Sequence, residues 1–83
     1  MIKAAEQGFA DAQLFLGAMY DNGEGVLQDT ISAHMWLNIA AANGNKGAVK
    51  NRDIAAGKLS SADIVEAQKR AKRRMASGYK DCD

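Results

Sequence analysis

Proline is absent from this chain, so glycine and the small polar residues have to supply its helix stops. Cysteine occurs once, as Cys82, which rules out a disulfide within the chain and fits a reducing compartment. No apolar run is long enough to span a bilayer. Leu14 to Tyr20 follows Asp11 and Gln13 and lacks the basic start of a secretory signal. The cytoplasm is therefore favoured for the chain as given, whereas an export signal further upstream would direct it to the periplasm or outside. Neither sign of charge dominates. A formal net charge of +1 selects no nucleic acid and no membrane partner by bulk electrostatics. The alternation of β-branched and polar residues that marks strands is missing too, and alanine is abundant. These absences point to an all-α chain. With 83 residues it forms one small domain that buries only about 60–65% of its extended-chain surface.

What is present centres on Asp11 to Gly44. Ala12, Leu16, Met19 and Tyr20 fall on one face of a helical period. Gly17 stands beside that stripe. A glycine inside a helix costs about 1 kcal/mol against alanine, so close approach of a neighbouring helix is its expected reason. Asp21, Asn22, Gly23, Glu24 and Gly25 then form a turn, with Gly23 as the helix stop. Asp29 or Thr30 can cap a second helix, whose inner stripe is Ala33, Trp36, Leu37, Ala40 and Ala41 and whose end is Asn43-Gly44. The two segments should pack as an antiparallel pair that cannot bury both of its faces alone.

The flanks repeat the pattern in part. Ala4, Ala5, Gly8 and Ala12 recur 36 positions later as Ala40, Ala41, Gly44 and Ala48. Ile2 to Gln7 then reads as the tail of a second-type helix stopped by Gly8, so the N-terminus looks cut in mid-repeat. A third long helix should start near Lys46, with Ala48, Arg52, Ala55 and Ala56 inward, and end at Gly57-Lys58. Ser60 or Ser61 caps the last helix, Ser60 with Asp63 as a capping box and Leu59 as a hydrophobic staple. Its expected inner face is Ile64, Ala67, Gln68, Ala71 and Met75. Lys69, Arg70, Lys72, Arg73 and Arg74 make the outer face, and Ser77 to Asp83 a polar tail. Charge follows the same division. Met1 to Gly44 has one lysine against five acids, a formal −4, and Asn45 to Asp83 has ten basic residues against five acids, a formal +5.

These residues resemble the Sel-one-like repeat family, relatives of the tetratricopeptide repeats. The unit A-x3-LG-x2-Y-x2-G-x-GV-x2-D-x3-A-x2-W-x3-AA-x2-G is met by Ala12, Leu16-Gly17, Tyr20, Gly23, Gly25-Val26, Asp29, Ala33, Trp36, Ala40-Ala41 and Gly44. Ala4 to Gly8 resembles the end of a preceding repeat, and Asn51 to Asp53, Leu59-Ser60 and Ile64 to Ala71 resemble the closing segment after a last bacterial repeat. The resemblance implies an α/α superhelix, a solenoid of antiparallel helix pairs with about four to five helices in a chain of this length. Residues 1–8 would end one repeat, 9–44 form a full one, and 45–83 supply a partial repeat and a C-terminal capping helix. It also implies a scaffold or adaptor role, often bacterial, in signalling, envelope or host-interaction settings.

Chemical motifs are few. Gly23-Glu24-Gly25 follows a helix, where a phosphate loop would follow a strand, and lacks the Lys-Ser/Thr such a loop needs. Asp21, Asn22, Glu24 and Asp29 fail the spacing of a calcium loop. His34, the only histidine, has no nucleophile at a recognisable catalytic spacing and is expected at the surface or partly packed. Trp36 and Tyr20 are read as core. No catalytic residue, cofactor site or metal site is expected.

The expected function is protein–protein interaction, with a protein or peptide partner held on the concave face. By analogy with tetratricopeptide geometry that face is lined by Asp11, Leu14, Ala18, Asp21 and Asn22 of the first-type helix and by Lys50 and Ile54 of the next. Leu14 and Phe15 are expected as exposed apolar groups there. Self-association through the open N-terminal repeat face is a further expectation. Two alternatives come from other classes. Some family members are linked to β-lactam hydrolysis, but those are cysteine-rich, whereas this chain has one cysteine and its Ser60-Ser61-Ala62-Asp63 lacks the lysine of an SxxK. The basic last helix could bind nucleic acid, but it lacks interleaved aromatics and matches no nucleic-acid motif.

Overall fold

The computed structural model describes residues 2–78. Cys82 and most of the polar tail lie outside the described residues. Five helices follow one another: α1 (Ile2–Glu6), α2 (Ala10–Asn22), α3 (Thr30–Ala42), α4 (Lys46–Ala56) and α5 (Ser61–Ala76). Among the described residues there is no strand.

Local chemistry sets the boundaries. Gly23 ends α2 in the left-handed region at φ 73°, its N–H donating to the Met19 carbonyl, a geometry that favours glycine. The Asp29 carboxylate accepts from the Ser32 N–H and starts α3. Asn45 does the same for α4 through the Ala48 N–H, and Ser60 for α5 through the Asp63 N–H.

The α2–α3 pair is antiparallel. Gly17 lies where α2 meets α3, Asp29 N–H donates to Tyr20 O at one end, and Asn43 Nδ2 donates to Gln13 Oε1 at the other. The close approach expected of Gly17 is real: a Cβ at that position would stand 2.8 Å from Leu37 Cγ.

α3 is the buried centre, and its burial exceeds the expected stripe. Met35, His34 and Ile39 join Ala33, Trp36, Leu37 and Ala40 out of solvent. Two clusters form on different sides of it. Leu37 and Ala40 pack with Ala48 and Ala55 of α4. Met35, Trp36 and Ile39 pack with Ala5, Leu16 and the Ala67 and Ala71 of α5. α5 thus lies against α3, and it makes little contact with α4.

Three expected faces need correction. In α2, Leu16 is buried as expected, but Ala12, Met19 and Tyr20 are half-buried, and Gln13 is fully buried. Gln13 is satisfied there: its Nε2 donates to Ala5 O at 2.9 Å while its Oε1 accepts from Asn43, tying α1, α2 and the end of α3 together. In α4, Arg52 is half-buried and donates from Nη1 to Asn38 Oδ1 at 3.1 Å. In α5, Gln68 and Met75 are exposed, and Arg74, expected on the outer face, is buried. Its guanidinium lies 4.9 Å from the Trp36 ring centroid, a cation–π contact that covers the indole. Ala67, Ala71 and Arg74 share one face at i, i+4 and i+7, so α5 is rotated relative to the expected inner stripe.

A Gly17→Ala substitution gains about 1 kcal/mol in helix propensity. It also forces a methyl group against buried Leu37, and overpacking costs about 1–3 kcal/mol. The expected net result is a lower urea midpoint with the helical circular-dichroism signal retained below the transition. A midpoint equal to or above wild type would show that the helices do not meet this closely.

Candidate interaction surface

α2 and α4 meet along a seam over α3, and one cavity opens in it. Ala18, Asp21 and Asn22 of α2 (i, i+3, i+4), Leu37 of α3, and Asn51 and Ile54 of α4 (i, i+3) line a volume of about 200 Å³. Four of the seven expected partner-binding residues, Ala18, Asp21, Asn22 and Ile54, therefore converge. Leu37 and Asn51 were not foreseen. Asn51 was within reach, since it lies one turn before Ile54 on the same helix face. Leu37 was read only as core, and Gly17 is what lets it reach the seam.

The other three residues lie away from the cavity. Asp11 is tied across the seam, accepting from Asn45 Nδ2 at 2.9 Å, and the same Asn45 caps α4. Leu14 was expected exposed, but it is half-buried against the Leu37, Ala40, Ala48 and Ala55 cluster. Small residues on α4 leave room for it there. Phe15 is exposed, as expected. Lys50 is exposed and does not line the cavity.

One charge pair closes the seam. Lys58 Nζ donates to both Asp21 carboxylate oxygens, at 3.1 and 3.0 Å. Half-exposed pairs of this kind contribute about 0–1 kcal/mol, so its main effect is to position α4 against α2. The cavity combines an apolar base, made by Ala18, Leu37 and Ile54, with the amides of Asn22 and Asn51, each able to donate and accept. That combination suits an apolar side chain flanked by peptide groups. Among the described residues no three His, Cys, Asp or Glu side chains group to hold a metal ion. No described helix is long and apolar enough to cross a membrane.

The geometry agrees with the family comparison. The model of the Sel1 repeat matches residues 10–45, which are α2, the glycine turn, α3 and the α4 cap Asn45. That stretch is similar to a Sel1 repeat. Sel1 repeats are generally protein-interaction modules, a scaffold type and not an enzyme type. Helices α1 and α5 and the body of α4 fall outside the match, so the seam is built from the matched stretch on one side and the following helix on the other. No curated protein and no solved structure matched the chain.

Within α3, His34 corrects an expectation. It is buried, because α3 is covered on nearly all sides. Its Nδ1 has no hydrogen-bond partner among the described residues. Burial first, and the Arg52 guanidinium second, hold its pKa below the usual imidazole value, with Asp53 opposing. The unfolded chain therefore binds a proton at about pH 6.5 that the folded chain refuses until lower pH. Stability is fully present above that pH and is lost as pH falls through it. Wild type should show a lower urea midpoint at mildly acidic than at neutral pH, and His34→Gln should flatten that slope. Equal slopes in the two proteins would remove His34 as the cause.

Proposed function

We propose that this chain is a protein-interaction module whose α2/α4 seam takes an extended segment of a partner protein, with one apolar side chain seated over Leu37. The observation that supports this most is the meeting of Ala18, Asp21, Asn22 and Ile54, from two helices, around a single cavity with an apolar base. Ile54 is 53% exposed although it lines that cavity, so an apolar surface is kept open where a partner can cover it. Asn22 and Asn51 stand at the rim to bond the partner's backbone. In this reading residues 9–44 are the complete repeat, 1–8 the end of a preceding one, and 45–83 the partial repeat and capping helix that supply the second wall.

The test is a peptide-display selection against the whole chain, with the selected peptides titrated by NMR. The largest amide shifts are expected at Ala18, Asn22, Asn51 and Ile54. Ile54→Lys is expected to weaken binding about tenfold or more, because truncation at a central contact typically costs over 1 kcal/mol. Its thermal melt should stay near wild type, since the site is exposed. Shifts concentrated on α5, with Ile54→Lys binding as wild type, would contradict the reading.

A further inference from the structure

We propose that a second copy of this chain docks its Gly23–Asp29 turn onto α5, with Leu27 entering the groove between Val65 and Met75. Two separate surfaces of one molecule carry this.

The first surface is a knob. Leu27 is 91% exposed, yet the turn that bears it is held at both ends. Gly23 N–H donates to Met19 O at 2.7 Å, Asp29 N–H to Tyr20 O at 2.9 Å, and Gln28 Nε2 to Asp21 O at 2.8 Å. An apolar side chain on a turn already fixed in place loses little further entropy on docking. The turn is also acidic: Glu24, three residues before Leu27, is exposed, and no basic residue occurs between Asp21 and Asp29.

The second surface is a hole. A groove of about 400 Å³ lies between α3 and α5, lined by Asn38, Val65, Gln68, Lys69, Lys72 and Met75. Val65 and Met75 are exposed large apolar residues, and methionine adapts its shape to what it meets. Lys69 and Lys72 are exposed and lie between Val65 and Met75 along α5, where their methylene stems extend the apolar floor, and none of these lining residues is acidic.

Knob and hole therefore complement each other in both respects: an apolar side chain to a floor of Val65, Met75 and the lysine stems, and the Glu24 carboxylate to the lysine ammonium groups. The division of charge along the chain, −4 up to Gly44 and +5 beyond it, orients one copy's turn toward another's α5. Each copy offers both surfaces, so the contact is heterologous unless two copies exchange turns reciprocally. Neither surface includes Ile54 or Asn51, so peptide binding in the α2/α4 seam and this contact can fail independently.

Sedimentation velocity on the whole chain, from micromolar to millimolar concentration and at low and high salt, tests it. Wild type should grow beyond the monomer with concentration and associate more weakly at high salt, as screened charge contacts do. Leu27→Asp, which spoils the knob, and Lys69→Glu/Lys72→Glu, which spoils the hole, should each stay monomeric with unchanged helical circular dichroism. Mixed together they should form a dimer, because the intact turn of one meets the intact groove of the other. A wild-type chain that stays monomeric throughout would overturn the proposal. So would a Leu27→Asp variant that associates as wild type does, or a mixture of the two variants that remains monomeric.

Discussion

With no side chain at position 17, α2 lies directly on α3, and the arrangement of the other helices follows from that contact. A Cβ there would meet Leu37 Cγ at 2.8 Å and the Ala33 carbonyl at 3.3 Å. The glycine gives up about 1 kcal/mol of helix propensity to allow this. In return Leu37 is held against α2, where it serves two ends. It packs with Ala40, Ala48 and Ala55 to seat α4, and it forms the base of the cavity between α2 and α4. One missing side chain therefore links the packing of the α2–α3 pair to the surface it presents.

α3 is apolar around nearly its whole circumference, and a single partner helix cannot cover such an element. The structure covers it from several sides. α2 and α4 take the Leu37 side, and α1, Leu16 of α2 and α5 take the Trp36 side. Alanine dominates the contact surfaces of α4 and α5, which lets those helices come close without bulky interlocking. Two polar side chains complete the cover. Gln13 bridges the last turn of α1 to the end of α3, and Arg74 lays its guanidinium over Trp36. Such a cation–π contact contributes about 0.5–2 kcal/mol. The seam between α2 and α4 is by contrast polar and lightly packed, which is where a binding surface can remain open without weakening the core.

Much of this order is legible in the residues themselves. The turn glycine Gly23 adopts the left-handed conformation that its place demanded, and Asp29 caps the helix it precedes. Those are local decisions, made within a few residues, and local chemistry settles them. Long-range placement is different. In α5 the expected Ala67 and Ala71 do face inward, but periodicity alone did not fix the rotation of the helix, so Arg74 is buried beside them while Gln68 and Met75 are exposed. Arg74 reads as a surface residue, and Gln13 falls outside the apolar stripe, because their polar ends are visible in sequence while their buried partners are not. The candidate site was legible to the same degree. Ala18, Asp21, Asn22 and Ile54 follow from the helix faces that line a concave surface. Leu14 did not, because whether it stands free or packs depends on how small the facing α4 residues are.

Amide hydrogen exchange, resolved by residue, tests most directly the claim that α3 is the buried axis on which everything else is mounted. If it is, amides from Ala33 to Ala40 exchange most slowly in the molecule and open only with global unfolding, while α1 and the α2/α4 seam exchange through smaller openings. Exchange in α3 as fast as in α4 or α5 would contradict the account, because no helix could then be the one that the others cover.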